Sequence, residues 1–429
     1  MSGHPVPGAS IGNTSLEDLR RQYEFDLFED FLPFLDRFVV DHERGGFMTN
    51  VDRDGTLLNT TKNTWYCGRG IWVYAFLYNH FEKNPRYLEI ADLSARFVLR
   101  HQPEGDHLWT PEFTKEGEPI RLEGQFIGGQ YYPVNEEVSG DLFIANGLAE
   151  LAAASGNGAY WDKAKEIILK CVRIFDNPGY APQAVQVYLG KGAPPLPGAR
   201  LMGVSMLLLN VTTQMLERRP DDRELAALNQ RAVDAVLDRH YNPVYDLLNE
   251  VLDHDYARVA NEYANLVYTG HGIETLWMLL YEAVRRGDRE LFFRAERLLK
   301  RTMEVAWDDV FGGYFRGLKD VYANQWILDK PLWTQEEALI GTLFLINHTG
   351  AAWARDRFAR TFAYVQEKFS LRRHGLPLYD DWPDRLVTFV PHHTRIEIFH
   401  HGRHLMQNLI VLRELSARGG KPSGIFGLE

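Results

Sequence analysis

The chain has 429 residues, of which 45% are hydrophobic and 13% aromatic, so it can form a single large domain with a substantial core. Acidic residues outnumber basic ones by 58 to 47, and the resulting net charge of −11 argues against a nucleic-acid-binding surface. We therefore expect no nucleic-acid partner.

The sequence also lacks the marks of secretion and of membrane insertion. Residues 1–15 are polar and contain no hydrophobic signal core, and no later segment has the length and apolarity of a membrane span. The two cysteines, Cys67 and Cys171, are too few for a disulfide framework or a cysteine-based zinc site. We expect a soluble cytoplasmic protein that has no membrane partner.

Apolar periodicity predicts about twelve helices of two kinds and very little strand. One kind is amphipathic, as in the segment that begins at Asn84-Pro85, a helix-start signal with proline in the first turn. The other kind is apolar on all sides, which is typical of a helix that is buried all round. Amphipathic segments occur around 87–98, 160–175, 291–299 and 358–369, and all-apolar segments around 71–77, 202–211, 273–281 and 338–346.

The two kinds of helix alternate along the chain, which predicts an all-α fold, an (α/α)6 barrel of six inner and six outer helices with short β-hairpins at its mouth. The alternative is an open superhelical array of helix pairs. Because no internal linker resembles a domain boundary, we expect one catalytic domain over 15–418, with flexible termini at 1–14 and 419–429. The Gly/Pro-rich segment 190–198 is predicted to form a rim loop over the mouth.

A weak internal repeat favours the closed barrel over the open array. Short hairpins rich in glycine or aromatic residues precede several inner helices, and those helices begin with reactive side chains. Closing the array would point these helix starts at one central mouth, whereas an open array would scatter them. The hairpins are at 45–47, 245–246, 312–314 and 375–379, and the side chains are Arg69, His271, Glu337 and His400.

His271 opens the most distinctive motif, Gly270-His271-Gly272-Ile273-Glu274. A histidine and a glutamate three positions apart share one helix face, so Glu274 is predicted to orient the imidazole of His271. The flanking glycines would let a ligand approach closely. The alternative is an ordinary structural His–Glu pair.

A second histidine motif is Phe399-His400-His401-Gly402-Arg403. Adjacent residues on a helix diverge by roughly 100°, so only one of His400 and His401 should face the mouth. His400 and His404 have a spacing that suits a metal ion, but no third ligand is evident, and the pair His392-His393 lacks that spacing. We therefore predict no metal site.

Two further motifs indicate a polar, aromatic-lined site. Arg69 lies between Trp65 and Trp72 in an otherwise apolar helix, so its guanidinium must meet a carboxylate or a ligand. Trp333-Thr334-Gln335-Glu336-Glu337 combines an aromatic surface with hydrogen-bonding groups, a common composition for binding sugars. Acidic residues are equally favourable at the start of any helix. Phosphate loops, dinucleotide fingerprints and Gly-x-Ser-x-Gly nucleophile turns are absent from the sequence.

In their order and spacing these motifs resemble the N-acylglucosamine 2-epimerase family, whose fold is an (α/α)6 barrel. The resemblance covers about 27–415. The matching pieces are 42–47, 65–72 with Arg69, 204–210, Gly270-His271-x-x-Glu274, Lys330 to Ala338, and Phe399-His400-x-x-Arg403.

The resemblance implies an isomerase that inverts C2 of a free reducing sugar, or that interconverts aldoses and ketoses, without a cofactor. It implies that His271 and His400 are the acid/base pair and that Arg69 is the active-site arginine. Imidazole, with a reference pKa of about 6.5, suits both proton removal and proton return near neutral pH. Family members are often homodimers. Substrate-binding residues are expected to be Glu274, Glu337, Trp333, Gln335, Trp65 and Lys330.

The chain departs from the family pattern at two places. Leu332 replaces one of two adjacent tryptophans, which leaves the substrate's side group open. The Met-His pair of the cellobiose epimerase and mannose isomerase branches is absent, and Val204-Ser205-Met206 instead resembles the acylglucosamine branch. Some acylglucosamine epimerases depend on ATP, but no phosphate-binding motif here supports that property.

Two other functions remain as alternatives. Glycoside hydrolysis also occurs on (α/α)6 barrels and would need two carboxylates about 5–10 Å apart across the mouth. Asp246, Asp380 and Asp381 are the candidates for it. The second alternative is a carbohydrate-binding protein without catalytic activity.

Overall fold

Within the described residues, twelve helices form two concentric layers in this computed structural model, which confirms the predicted (α/α)6 barrel. The structure describes residues 10–120, 125–127, 130–132, 137–182, 196–377, 379 and 395–427. The inner helices are α2 (Thr64–His80), α4 (Val138–Ser155), α6 (Met202–Arg218), α8 (Thr269–Arg286), α10 (Leu332–Thr349) and α12 (His400–Ala417). The outer helices are α1 (16–39), α3 (Pro85–Arg100), α5 (Gly158–Phe175), α7 (223–240), α9 (Arg289–Ala306) and α11 (Ala352–Lys368).

Two of the outer helices change their pitch along their length. Helix α1 is a regular α-helix over Leu16–Phe25 and Leu32–Phe34. It has wider π-type turns over Asp26–Phe31 and Leu35–Val39. Helix α7 is regular over Arg223–Asp234 and widens over Ala235–His240. Short 3₁₀ turns occur at Arg372–His374 and Ile425–Gly427.

The helix boundaries follow local capping chemistry. The side chain of Asn84 accepts a hydrogen bond from the backbone N–H of Arg86 at the start of α3, which confirms the predicted start signal. Gly156, Gly287 and Gly350 end three inner helices in the left-handed conformation that glycine adopts without strain. Each of these glycines therefore starts a tight turn into the next outer helix.

Each inner helix packs against two inner neighbours, and α12 contacts α2 to close the ring. The inner helices are buried nearly all round, whereas the outer helices bury one face. The described chain contains no helix with the length and apolarity that a membrane crossing requires.

The described strands are short and lie between helices, as predicted. All of their pairings are antiparallel. The pairs are β1 (Ser10–Ile11) with β2 (Thr14–Ser15), β9 (Tyr241–Asn242) with β10 (Leu247–Leu248), β11 (Val251–Leu252) with β8 (Arg200–Leu201), β12 (Gly317–Asp320) with β13 (Gln325–Ile327), β6 (Gln125–Ile127) with β7 (Gln130–Tyr132), and β4 (Glu112–Phe113) with both β3 (Lys62–Asn63) and β5 (Pro119–Ile120).

Residues near both ends of the barrel, which the sequence predicts to be flexible, make specific contacts. Ile11 is buried in the core. After α12, the backbone N–H of Ser423 donates to the carbonyl of Asn347 at 2.8 Å, and the ring of Phe426 lies 5.1 Å from that of Phe292. These contacts hold both segments against the outer surface of the barrel.

Helices α2 and α4 approach each other closely enough for their backbones to touch. A Cβ added to Gly68 would lie 2.4 Å from the Phe143 carbonyl carbon and the Ile144 nitrogen, and one added to Gly147 would lie 2.5 Å from the Gly68 carbonyl oxygen. Because backbone atoms cannot move aside as a flexible side chain can, this contact needs glycine on both helices.

We predict that Gly68→Ala lowers the free energy of unfolding by about 1–3 kcal/mol, because the added methyl group overpacks a backbone contact. Urea unfolding monitored by circular dichroism measures the change. Gly158→Ala is the matched control, since a Cβ there meets nothing within 4 Å, and it should leave stability nearly unchanged. Equal stability of both variants would contradict the close-packing argument.

Candidate active site

A cavity of about 370 Å³ opens where the six inner helices begin. Each of those helices contributes side chains to its lining from its first turns. One lining residue from each helix, in chain order, is Arg69, Phe143, Val204, His271, Trp333 and His400. The predicted convergence of helix starts at one central mouth is therefore confirmed, and the open array is excluded. Glu337, one of the four side chains predicted to face the mouth and a predicted substrate-binding residue, is not among the lining residues.

Trp333 connects the two histidines across this cavity. Its ring lies 5.2 Å from that of His400 and 6.0 Å from that of His271, measured between centroids. Tyr268 packs edge-on against His271 at 4.4 Å. The two imidazoles, which the sequence separates by more than a hundred residues, thus share one aromatic wall.

His400 is oriented by Glu337. Its Nδ1 lies 2.8 Å from Glu337 Oε1, and its Nε2 lies 3.3 Å from Arg69 Nη2. Glu337 also accepts hydrogen bonds from Trp277 Nε1 at 2.6 Å and from Arg403 Nη2 at 2.6 Å. With a carboxylate on Nδ1, the imidazole is held so that its other nitrogen, Nε2, faces Arg69 at the cavity. His401 turns away from the cavity, so only one of the adjacent histidines faces the mouth, as predicted.

A buried ion cluster underlies His400. Arg403 Nη2 donates to Glu274 Oε1 at 2.5 Å as well as to Glu337. Burial opposes ionisation of Glu274, but the positive charge of Arg403, aided by His400 and His271, holds the pKa of that carboxyl below its usual value. Because these side chains come from α8, α10 and α12, the cluster ties three inner helices together.

His271 receives its carboxylate from another part of the chain. Its Nδ1 lies 3.0 Å from Oε1 of Glu250, a fully buried residue between β10 and β11. Glu274, which the sequence predicted for this role, is bound to Arg403 instead. Both histidines therefore have a glutamate at Nδ1, but only His400 receives it from a neighbouring inner helix.

The backbone around Glu250 is fixed by several hydrogen bonds. Its N–H donates to the carbonyl of Leu266 and its carbonyl accepts from Met202, both at 2.9 Å. The preceding residue, Asn249, pairs with His240: its N–H donates to the His240 carbonyl, and its carbonyl accepts from His240 Nδ1, both at 2.8 Å. Burial lowers the pKa of His240 to about 4, although the Asn249 carbonyl opposes that shift. His240 is therefore a neutral support beneath the Glu250 turn.

Arg69 meets a carboxylate at the cavity wall. Its Nη1 lies 3.5 Å from Glu397 Oε2, which also accepts from the hydroxyl of Tyr66 at 2.8 Å. The other oxygen of Glu397 accepts from the backbone N–H groups of Phe399 and His400 at the start of α12. Burial opposes ionisation of Glu397, but Arg69 leads a set of positive charges that lowers its pKa to about 2. This carboxylate therefore joins α12 to α2.

The other predicted site residues divide into two groups. Trp65 and Glu274 line the cavity, as does Trp333. Gln335 and Lys330 do not line it. Gln335 exchanges hydrogen bonds with the backbone of Tyr314, accepting at 2.8 Å and donating at 2.9 Å. Lys330 Nζ lies 2.7 Å from Asp308 Oδ2. Both anchor the 312–314 hairpin beside α10.

Some predictions fall outside the described residues. These are the rim loop over 190–195, Asp380 and Asp381 as hydrolytic carboxylates, and the pair His392-His393. Asp246, the remaining hydrolytic candidate, does not line the cavity, and both of its oxygens accept from Arg297 Nη1, at 2.8 and 2.7 Å.

Comparison with known proteins agrees with this geometry. The N-acylglucosamine 2-epimerase (GlcNAc 2-epimerase) family profile matches residues 141–388. N-acylglucosamine 2-epimerase from Bos taurus is 28% identical over 371 residues, covering 81% of each chain. The structure of cellobiose 2-epimerase from Spirochaeta thermophila DSM 6192 aligns with a TM-score of 0.76 at 17% identity, covering 94% of this chain and 98% of that one. A D-mannose isomerase structure aligns with a TM-score of 0.69 at 13% identity, covering 93% and 98%.

We predict that His240 makes stability depend on pH between about 6.5 and 4. Its pKa is lower in the folded chain than in the unfolded one, so the unfolded state binds more protons in that range and stability falls as the solution is acidified. The loss should reach about 3 kcal/mol near pH 4. His240→Asn keeps a donor for the Asn249 carbonyl but does not titrate.

Urea unfolding of the wild type and of His240→Asn, at intervals from pH 7.5 to pH 4, measures this contribution as the difference between the two. The other titrating groups are common to both proteins and cancel. A difference that stays constant over the range would contradict the buried neutral imidazole.

Proposed function

The chain belongs to the N-acylglucosamine 2-epimerase family, and we propose that it inverts C2 of a free reducing sugar, with His271 and His400 as opposed acid/base groups. This isomerase assignment agrees with the enzyme class predicted from the sequence. The observation that carries the proposal is the pair of imidazoles on one cavity, both contacting Trp333 and each with a carboxylate at Nδ1.

Inversion at C2 needs a proton removed from one face of the carbon and another delivered to the opposite face. In the open-chain sugar, C2–H is acidified by the neighbouring carbonyl. One neutral imidazole takes that proton at Nε2 and becomes an imidazolium, which leaves an enediolate. The second histidine, already protonated, then returns a proton from the other side and becomes neutral. The two histidines have then exchanged protonation states, and exchange with solvent restores them.

The enediolate oxygens carry the charge that develops during this reaction. Arg69 is suited to stabilise it, since its guanidinium lines the cavity and lies 3.3 Å from His400 Nε2. Glu397 holds the guanidinium from behind, and Phe143 lies beneath it at 4.2 Å. Arg69 would therefore donate to a sugar oxygen next to the carbon that His400 serves.

We propose an N-acylglucosamine as the first substrate class to examine, because the profile match and the Bos taurus relative carry that name. Aldose–ketose isomerisation is the second candidate, and its support is the structural similarity to a D-mannose isomerase. Both reactions begin with the same proton removal. They differ in whether the proton returns to C2 or to C1.

We predict that His271→Asn and His400→Asn each lower kcat by at least about 10²-fold, because each variant lacks one of the two proton-transfer groups. Turnover of N-acetylglucosamine in deuterated water, followed by NMR, is the measurement. Wild-type product should carry deuterium at C2 and contain no ketose.

The matched control is Asp246→Asn, which removes a charged side chain outside the cavity and should retain full turnover. A ketose product with deuterium at C1 would show that the enzyme catalyses aldose–ketose isomerisation and not epimerisation. Near-normal kcat in either histidine variant would remove that histidine from the mechanism.

We predict that Glu250→Gln lowers kcat by about 10–100-fold and shifts the pH profile of kcat/KM, because the carboxylate that orients His271 becomes a neutral amide. KM should change little, since Glu250 acts through His271. Rescue in Glu250→Asp would support an orienting carboxylate, whereas an unchanged pH profile in Glu250→Gln would exclude one.

A further inference from the structure

A second group of titratable side chains lies between α10 and α12, outside the lining of the cavity. It consists of Glu336 on α10 and of His401 and His404 on α12, and we call it the Glu336 cluster. All three residues are at least 90% buried. The proposed reaction uses none of them, and the inference below does not rest on that reaction.

The ligand atoms of the Glu336 cluster converge on one point. His401 Nδ1 lies 2.5 Å and His404 Nδ1 3.5 Å from Glu336 Oε1, and one atom from each residue lies within 4.8 Å of the others. Two histidine nitrogens and a carboxylate oxygen are a common ligand set for Zn²⁺ and for other divalent first-row transition ions. Ligand atoms of a tetrahedral zinc ion are about 3.3 Å apart, so small side-chain rotations would suffice.

Two atoms in the cluster lack a hydrogen-bond partner among the described residues. These are Oε2 of Glu336 and Nδ1 of His404, and both are buried from solvent. Leaving such atoms unsatisfied is costly, and a buried group of this kind calls for an explanation. A cation between the three side chains would bind both atoms at once.

A second similar group in the described chain is already neutralised. Glu274, Glu337 and His400 also bring three ligand atoms within 4.8 Å of one another. Arg403 lies among them, donating to both carboxylates and approaching His400 Nδ1 at 3.2 Å. Its guanidinium takes the position that a metal ion would need, so that group is not a metal site.

His404 has the kind of support that metal-bound histidines usually have. Its Nε2 lies 2.8 Å from the hydroxyl of Tyr23, which contacts Asn408 Nδ2 at 3.0 Å. If Nε2–H donates to Tyr23, the lone pair of His404 is on Nδ1 and points at Glu336. Asn408 Oδ1 has no partner among the described residues, and a half-turn of that amide would let it accept the Tyr23 proton.

The surrounding charges also favour a cation. Asp26 and Asp30 are buried on α1 and interact electrostatically with His401. The guanidinium of Arg372 contacts both of these carboxylates. Buried carboxylates therefore outnumber guanidinium groups around the Glu336 cluster, and this excess of negative charge favours a bound cation.

We propose that the Glu336 cluster binds one divalent first-row transition ion, of the Zn²⁺ type, which joins α10 to α12 beneath α1. The site is closed, so the ion stabilises the fold and takes no part in proton transfer at the sugar. Metal binding displaces any proton on the Nδ1 atoms of His401 and His404, and the displaced protons are released to solvent. This proposal departs from the sequence-based prediction of no metal site. It uses His401 and His404, three positions apart, with Glu336 as the third ligand.

The test is the metal content of the full-length protein. Because the site is buried, the ion enters as the chain folds, so the protein is produced in medium supplemented with Zn²⁺ or Co²⁺ and then desalted. Mass spectrometry should find about one ion per chain, and the Co²⁺ form should show the visible absorption of a low-symmetry site. Glu336→Gln and His404→Asn should each lose at least about tenfold of that content. His400→Asn is the matched control and should retain it.

Three outcomes would overturn the proposal. Wild-type protein without bound metal would make the cluster a hydrogen-bonded, proton-charged network, and this result does not depend on any variant folding. Loss of metal in His400→Asn with retention in His404→Asn would place the ion at the other group. Retention in all three variants, with folding checked by circular dichroism, would indicate adventitious surface binding only.

Discussion

The buried guanidinium of Arg403 is the constraint on which the rest of the site depends. Removing such a charge from water costs several kcal/mol, so it must be balanced by buried carboxylates. Arg403 on α12 donates to Glu274 on α8 and to Glu337 on α10, and these bonds restrain the positions of the three helices relative to one another. Glu337 is then placed to hold His400. The orientation of one imidazole thus follows from a charge balance at the barrel axis.

Both histidines have a glutamate at Nδ1, but the two glutamates come from different kinds of structural element. Glu337, the carboxylate for His400, lies on inner helix α10, which is buried nearly all round. Glu250, the carboxylate for His271, lies in a turn between short strands. Glu250 is nevertheless well fixed, because His240 and Asn249 bind each other directly before it and Met202 binds its carbonyl. Helices supply the two histidines, and the connecting segments complete their environment.

The sequence predicts the fold well and places His271 and His400 on one cavity, because both inferences depend on local patterns. Alternating helix types indicate two layers, and glycine-flanked or paired histidines at helix starts mark His271 and His400. The supporting carboxylates are harder to find. Glu250 lies in a turn between short strands, 21 positions before His271, and Glu397 reaches Arg69 only when the ring closes. The i,i+3 rule paired Glu274 with His271, but the stronger attraction of a buried arginine prevailed. The sequence also predicts Gln335 and Lys330 as substrate-binding residues, because composition cannot distinguish a side chain in a cavity wall from one that anchors a buried hairpin.

The junction between α12 and α2 has a consequence for how the protein is made. Arg69 and His400 are 331 positions apart, and the carboxylate that joins their helices, Glu397, also lies near the carboxyl end. A ribosome must therefore deliver almost the entire polypeptide before the cavity can assemble, and nascent chains that stop short contain no working half-site. Contacts of such long sequence separation form slowly. Ring closure is thus the step of folding that must wait for the carboxyl-terminal helix.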